Sequence, residues 1–294
     1  MSTTALSLPT DRGGVSRVWR AEVFRLRRWT AVWVVVAAWM LLDALFTFVF
    51  NWISYASGST SFSNEGESKA YLLASILPGN LAQNLPQGMP MFGGALMMVL
   101  GAIVAGNGYG WGTWKTAFTQ GPSRTSTVLG SILALVTAVS GLLVVTIAMD
   151  VAFSLVIAGT ESQAVHWPSA GAMGKSVLAA FMVMQMWALA GYLLGTIARS
   201  PAVSIGLGLV WNMVIENLLR GVGNSLHAIA VITHFLPGTA AGSLVGQLAG
   251  TDSIDPTPGV LDTLGATRAV VTVAVYLLAL PAAAWFLLRR RDVS

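Results

Sequence analysis

Six long stretches of this 294-residue sequence each contain at most one charged residue, and they constrain the fold more than any other feature. A bilayer core takes about 20 consecutive apolar residues in a helix, and backbone groups in hydrocarbon must be hydrogen-bonded internally. Strands of a membrane β-barrel would form shorter, alternating segments. We therefore predict an all-α integral membrane protein with six transmembrane helices, at about 30–50, 88–106, 128–150, 174–197, 201–217 and 269–288.

The composition supports this class of protein and excludes several others. Hydrophobic residues make up 55% of the chain and charged residues 10%, with a mean hydropathy of +0.70, whereas soluble domains are about 25% charged. The absence of cysteine excludes disulfides and thiol catalysis. The histidines, His166, His227 and His234, lack metal-ligand spacing, and no zinc-protease or serine-hydrolase motif occurs. We expect neither an enzyme nor a metal or cofactor site in this chain.

The segment before the first span is basic and amphipathic. Residues 1–12 are polar and are predicted to be disordered in the cytosol, and residues 13–294 to form a single transmembrane permease domain. In GVSRVWRAEVFRLRRWT, apolar residues recur at helical spacing while most arginines lie elsewhere on the helical wheel. This pattern predicts an interfacial helix, with a simple positively charged flank as the alternative. Its interfacial residues would be Arg17, Trp19, Arg20, Arg27 and Arg28.

The distribution of basic residues predicts the orientation. Cytosolic connections of membrane proteins carry an excess of lysine and arginine. If both termini are cytosolic, every basic residue falls on the inner side except Lys69, Lys175, Arg220 and Arg268. We therefore predict a multi-pass protein of the cell membrane with both termini in the cytosol. Residues 199–201 would then form a tight cytosolic turn between the fourth and fifth spans.

Two outer connections are long. Residues 51–87 are rich in serine, asparagine, glutamine and glycine. Residues 218–268 contain HAIAVITHFLPGTAAGSLVGQLAG, which is semi-apolar but too short, and too broken by Pro237 and Gly238, to cross a bilayer. We predict a re-entrant or interfacial hairpin before the last span.

One stretch imitates a nucleotide-binding loop. In SAGAMGKS, residues 169–176, the last three residues fit the phosphate-loop pattern, but Ser169 replaces its first glycine. No strand pattern precedes the stretch, and it falls on the outer side. We interpret Lys175 as the outer end of the fourth span, so that the chain does not hydrolyse ATP by itself.

Polar and polarisable residues inside the spans are candidates for a substrate path. Charges within a membrane are costly and usually face a partner or a watery cavity. The acidic residues would form a polar vestibule toward the outer side, or else be interfacial helix ends or packed structural groups. Gln185 would join helices or line a path, and the methionines would line an adaptable path or pack in the core. The candidates are Asp43, Met97, Asp150, Gln185 and Glu216.

The connection between the second and third spans, GNGYGWGTWKTAFTQGPSR, is the most distinctive polar segment. Its glycines impede a continuous helix, at about 1 kcal/mol each relative to alanine. The run 113–120 could form two helical turns, with Thr113 as N-cap and Gly121 and Pro122 as the stop. Its tryptophans suit a membrane interface. This helix is available to a soluble partner, although burial against the protein's own helices is an alternative.

Four features together resemble the permease subunits of ABC-2-type exporters, in an actinobacterial-like form. They are RVWRAEVFRLRRWT before the first span, WGTWKTAFTQGPSRTS after the second, the broken apolar hairpin before the sixth, and the terminal LLRRRDV. The resemblance covers essentially the whole chain and is most specific in the second block. It implies an interfacial elbow helix, a coupling helix that docks on a separate ATPase subunit, and a dimer with the substrate path along its interface.

The resemblance also implies a function, that of a transmembrane permease subunit of an ATP-driven exporter. The permease would be a homodimer paired with two copies of a soluble ABC ATPase, which binds ATP and magnesium, and would move a hydrophobic or amphipathic drug, peptide or lipid-like substrate. Family members often carry an acidic residue before the Gly-Thr pair, where this chain has Gly108 and Gly110. The coupling positions carried over are Trp111, Thr113, Trp114, Lys115, Thr116, Ser123 and Arg124.

An ATP-independent secondary transporter or channel is the alternative function. Asp43, Asp150 and Glu216 would then be its ion-coupling groups. Transport that follows a proton gradient and is lost with Asp150→Asn would favour this alternative. An intramembrane enzyme or a structural partner-binding protein is a third hypothesis, which no motif requires.

Overall fold

The computed structural model describes residues 14–58, 68–110, 122–223, 225–249 and 257–290, and every regular element within them is helical. The helices, numbered in chain order, are α1 (Gly14–Arg28), α2 (Thr30–Ser57), α3 (Lys69–Ser75), α4 (Leu81–Asn84), α5 (Gly94–Gly110), α6 (Arg124–Thr160), α7 (Ala170–Ala198), α8 (Pro201–Gly223), α9 (His227–Thr233), α10 (Pro237–Ala249) and α11 (Ala266–Arg290). Turns of π-helix occur within α2, before α5 and within α8, at Ala44–Val49, Met89–Gly93 and Val210–Ile215.

Six helices in the described part of the chain are long and apolar enough to cross a membrane, which confirms the predicted number. The helices α9 and α10 form a bent pair, with an angle of 73° at the break before Pro237. This pair coincides with the segment predicted to be a hairpin. By length and composition it could count as a seventh, broken span. The six helices are Thr30–Ser57, Met89–Gly106, Arg124–Thr160, Ala170–Ala198, Pro201–Gly223 and Ala266–Arg290.

Two helices extend well beyond the predicted spans. The helix α6 continues to Thr160, whereas the predicted span ends at Asp150, and α2 continues to Ser57. The predicted end of the α6 span was wrong, because an aspartate in the sequence looks like the end of an apolar run. In the fold Asp150 is buried within the helix. The polar connection after α2 is also partly ordered, since it contains α3 and α4.

The helices α5 and α7 form the centre of the bundle. In the apolar stretch Met89–Gly106, which contains most of α5, 78% of residues are buried, against 11% in the apolar stretch of α11. A Cβ atom on Gly101 would overlap the Ala188 carbonyl oxygen, and one on Gly191 would overlap the Met98 carbonyl oxygen. Small residues let membrane helices approach this closely, so the α5–α7 contact depends on these two glycines.

The amphipathic helix α1 packs along the first half of α6. The space beside Gly130 is filled by Val18, and the Trp19 Nε1–H donates a hydrogen bond to Thr137 Oγ1 at 3.0 Å. Leu26 is buried in the core. The apolar stripe read from the sequence is therefore used, at least in part, against another helix of the protein.

The described basic residues are divided unequally between the two ends of the bundle. The α7–α8 turn lies at the same end as the close of α5, because Pro201 is next to Gly106. Arg199 in this turn has φ 54° and Pro201 is the first helical residue, which confirms the predicted tight turn. Four of the described basic residues lie at the opposite end of the bundle. We call the end with the α7–α8 turn the arginine-rich end, because it holds Arg17, Arg20, Arg25, Arg27, Arg28, Arg124, Arg199, Arg289 and Arg290.

Candidate functional site

Two polar contacts join α2 to α6 near the middle of the bundle. Both helices start at the arginine-rich end, so they run in parallel. Trp39 Nε1–H donates to Thr146 Oγ1 at 2.8 Å, and Thr146 in turn donates to the Leu142 carbonyl at 3.0 Å. One helical turn further on, the carboxyl groups of Asp43 and Asp150 are hydrogen-bonded to each other. Trp39 and Asp43 are four residues apart on α2, and Thr146 and Asp150 are four residues apart on α6. Both contacts therefore lie on the same face of each helix.

The Asp43–Asp150 carboxyl pair is buried within the spans. Asp43 is 7% exposed and Asp150 is 2% exposed, and both lie inside long helices, which fits packed groups rather than helix ends within the alternative considered for them. A hydrogen bond between two carboxyl groups requires a proton on one of them. The Thr47 hydroxyl also bonds to Asp43, while one oxygen of each carboxyl group has no partner among the described residues. A π-helical turn begins directly after Asp43, and such turns are frequent at functional sites.

An apolar cavity of about 410 Å³ lies on the arginine-rich side of these contacts. Its walls come from α1, α2, α5 and α6. The exposed residues Trp33, Gly141 and Val145 show that it opens sideways on the surface of the bundle. Along α2 and α6 its lining stops just short of the Trp39–Thr146 contact. The lining residues are Val23, Leu26, Arg27, Val32, Trp33, Val35, Val36, Met97, Leu100, Ala134, Thr137, Ala138, Gly141, Leu142 and Val145.

The candidate path residues are distributed over four places. Met97 lines the cavity, and Asp43 and Asp150 form the carboxyl pair beyond its far end. Gln185 lies in α7, is 3% exposed, and neither of its amide atoms has a partner among the described residues. It does not line the cavity. Glu216 belongs to a separate site.

Glu216 is buried in α8 near the end of the bundle opposite the arginine-rich end, where it contacts the start of α10. Its Oε1 accepts a hydrogen bond from Trp211 Nε1–H at 2.8 Å, and Arg220 Nη1 is 3.6 Å from Oε2. The backbone N–H groups of Gly238 and Thr239 also donate to the carboxylate. A carboxylate is favourable at a helix N-terminus, because it satisfies free N–H groups and opposes the positive end of the helix dipole. This matches the structural alternative considered for Glu216.

Two of the predicted coupling residues hold the arginine-rich end together. Ser123 is the N-cap of α6, where its Oγ accepts from the Ser126 N–H at 3.1 Å. The Arg124 guanidinium donates to the Leu288 carbonyl at 2.9 Å, at the end of α11. The Trp285 Nε1–H donates to Thr125 Oγ1 at 3.1 Å. The other predicted coupling residues, Trp111, Thr113, Trp114, Lys115 and Thr116, lie outside the described residues.

The predicted interfacial residues fall into two groups. Trp19 is bonded to α6, whereas Arg17, Arg20, Arg27 and Arg28 are exposed. Of these arginines, Arg27 lines the mouth of the cavity. Its backbone carbonyl accepts a hydrogen bond from Trp33 Nε1–H at 2.9 Å, so an arginine and an exposed tryptophan lie together at the mouth.

Arg25 joins α1 to α5, and the sequence pattern did not identify it as a contact residue. Its guanidinium donates to the Val104 carbonyl on α5 at 3.3 Å and lies 2.6 Å from the Glu22 carboxylate. Burial raises the pKa of Glu22, and the nearby charge of Arg25 opposes that shift. The only sequence signal was the Glu22–Arg25 spacing of three residues, which suits a pair on one helix face.

The stretch that imitates a phosphate loop is an ordinary helix start. The Ser169 Oγ accepts from the Ala172 N–H at 3.2 Å and caps α7. The preceding residues 163–168 are irregular. Ser176, in the position of the loop hydroxyl, is buried and donates to the Ala82 carbonyl at 2.5 Å. These contacts account for the residues without a nucleotide.

No protein-family model matches the chain, and no curated protein matches its sequence. The resemblance to ABC-2-type permeases therefore stays a prediction that rests on the sequence features quoted above.

Proposed function

We propose that this protein is the permease subunit of an ATP-driven exporter of the ABC-2 type, in the cell membrane with both termini cytosolic. In this proposal two permease copies pair with two copies of a soluble ATPase, which binds ATP and magnesium. The substrate is hydrophobic or amphipathic, such as a drug, a peptide or a lipid-like molecule. The arginine-rich end faces the cytosol, in agreement with the positive-inside rule.

The observation that carries the proposal is the set of contacts around the segment 111–121. This segment leaves the end of α5 and enters the start of α6. Near its exit, α1 is tied to α5 through Arg25 and the Val104 carbonyl; at its entry, α6 is tied to α11 through Arg124 and the Leu288 carbonyl. A partner that displaces the segment would therefore move α1, α5, α6 and α11 together, which is what coupling to an ATPase requires.

The cavity supports the substrate class. It is lined almost entirely by apolar side chains and opens sideways, where a membrane-dissolved molecule could enter. Its volume lies within the range of about 300–1,000 Å³ that small-molecule sites occupy. A transporter of small ions would need a polar lining instead.

The test is co-purification of the full chain with candidate ATPases, followed by measurement of ATP hydrolysis with hydrophobic compounds. We expect a stable complex whose ATPase activity rises with substrate, and Trp114→Ala to reduce that stimulation. Trp167→Ala is the matched control, because Trp167 is an exposed tryptophan before α7 at the opposite end. Arg124 is a poor test residue, since it also bonds α11. Absence of any complex, or equal effects of the two variants, would contradict the proposal.

The carboxyl pair supports a second candidate, an ion-coupled secondary transporter. Two buried carboxyl groups that share a hydrogen bond resemble the acidic relays of proton-driven carriers. In that case a proton gradient alone drives uptake of substrate into vesicles, and Asp150→Asn abolishes it while Trp114→Ala has no effect. The exporter proposal predicts instead that a proton gradient alone drives no uptake and that Trp114→Ala reduces ATP-driven transport. Glu216, the third residue predicted for this candidate, lies at a separate site against Trp211 and Arg220.

A further inference from the structure

We propose that the cavity between α1, α2, α5 and α6 binds one acyl chain of an anionic phospholipid, whose phosphate lies against Arg27. The inference rests on the cavity being a ligand site, as in the proposed function, but it does not depend on an ATPase partner. It is carried by the position of the charge at the mouth, by the depth of the cavity, and by the contact that closes its far end.

The mouth of the cavity has the chemistry of a lipid headgroup region. Arg27 lines it and is exposed, and the 58%-exposed Trp33 is bonded to the Arg27 backbone. Arginine and tryptophan are both enriched at the level of the headgroups. Arg20 lies seven residues before Arg27, on the same face of α1. The one acidic residue of α1, Glu22, is paired with Arg25, so the mouth carries a net positive charge that complements a phosphate.

The depth of the cavity matches one leaflet. On α6 the lining runs from Ala134 to Val145, which is about 17 Å of helix at 1.5 Å per residue. Half of a hydrocarbon core is about 15 Å. The far end is closed by the hydrogen bond between Trp39 and Thr146. An acyl chain that enters beside Arg27 therefore ends at this contact, before the carboxyl pair.

The open side favours a molecule that is already in the membrane. Gly141 lies in the wall, and a Cβ built on it meets no atom within 4 Å. The neighbouring Val145 is 49% exposed. A lipid can thus slide in from the side without leaving the bilayer, and both residues offer positions where a larger side chain fills the cavity.

The test uses the full chain in phosphatidylcholine nanodiscs that contain a trace of photoactivatable lipid. The probe is phosphatidylglycerol or phosphatidylcholine with the reactive group on the acyl chain, and the labelled peptides are mapped. We expect phosphatidylglycerol to label residues 134–145 about fivefold more than phosphatidylcholine does, the preference that one arginine near a membrane surface provides. Arg27→Gln should remove this preference. Arg290→Gln, which removes an arginine at the same end outside the cavity, should keep it.

Variants that fill the cavity separate specific binding from contact with surrounding lipid. Gly141→Leu should reduce labelling of 134–145 by both probes, whereas Gly159→Leu, at an equally open glycine of α6 outside the cavity, should not. Val145→Phe repeats the test at a surface position if Gly141→Leu does not fold. Equal labelling by the two probes in the wild type, or labelling that persists when the cavity is filled, overturns the inference. Because no ATPase is present, these outcomes are independent of the exporter test.

Discussion

Glu216 and the Asp43–Asp150 pair are both acidic sites buried within spans, but their surroundings differ. Glu216 faces an indole N–H, a guanidinium and two backbone N–H groups at the start of α10. Asp43 and Asp150 face each other and one threonine, and each keeps an oxygen without a partner among the described residues. Each site keeps a carboxyl oxygen that accepts no hydrogen bond among the described residues, Oε2 in the case of Glu216, but only Glu216 has a cation, Arg220, beside that oxygen.

The difference shows that burial of an acidic group in an apolar helix bundle is a weak sign of function until its partners are known. A carboxylate surrounded by donors stabilises the elements that supply them. A pair of carboxyl groups contributes less to stability and can exchange a proton or a ligand at its free oxygens. We therefore expect substitutions at Glu216 to affect folding, and substitutions at the pair to affect activity.

The largest effect is expected for Glu216→Ala. Removing the carboxylate leaves the Trp211 indole N–H without its acceptor and the partly buried Arg220 without its counter-ion, which together cost about 3 kcal/mol of unfolding free energy. Thermal unfolding in detergent measures the loss. Glu161→Ala is the control at the same end, because Glu161 bonds the Tyr55 hydroxyl at 2.5 Å but is only partly buried, so about 1 kcal/mol is expected. Equal losses in the two variants would remove the distinction between the acidic sites.

Gly238→Ala tests the same site from the side of α10. A Cβ at Gly238 would overlap the Glu216 carboxylate, whose Cδ is 2.9 Å from the added atom. Overpacking of this kind costs about 1–3 kcal/mol. In Gly221→Ala the added methyl meets no atom within 4 Å, so this control should be neutral or stabilise α8. The unfolding temperature of the two variants is the measurement. A drop for Gly221→Ala as large as that for Gly238→Ala would contradict the role of Glu216 at the start of α10.

Asp150→Asn should change stability by less than about 1 kcal/mol, because an amide still donates a hydrogen bond to Asp43. Transport or ATPase stimulation is the sensitive measurement at this site. If Asp150→Asn unfolds the protein as readily as Glu216→Ala does, the pair is structural and the second candidate function loses its support.

The smallest effect is expected for the Trp39–Thr146 contact. Hydrogen bonds between membrane helices contribute about 0.6 kcal/mol on average. A double-mutant cycle with Trp39→Phe and Thr146→Val measures this coupling directly. Additive effects of the two substitutions would mean that the contact contributes nothing, and that the closed end of the cavity is not held by it.

Much of the fold follows from local pattern. The six apolar runs predict the six long helices, because a helix in lipid must satisfy its own backbone and needs a fixed length. The spacing of apolar residues predicts α1. Helix ends were less predictable. Asp150 was taken for the end of its span, since hydropathy cannot register a charge that is paired inside the bundle.

The candidate site was predicted only in its parts. Asp43, Asp150 and Met97 were identified as unusual residues within spans, but the sequence does not show that the two aspartates meet across 107 positions of chain. The cavity has no sequence signal at all. It exists because side chains from four helices fail to fill the space beside Gly141, which is a property of packing rather than of any segment.

The sequence by itself determined that this chain is helical, with six helices long and apolar enough to cross a membrane, since the free energy of leaving backbone groups or charges in hydrocarbon depends on composition and length alone. It also determined which end is rich in arginine. Only the tertiary structure decided that Glu216 caps α10, that Asp43 meets Asp150, and that Arg27 lies at the mouth of a cavity. Each of these depends on which faces of distant helices come together, and that is set by close packing at residues such as Gly101, Gly130 and Gly191.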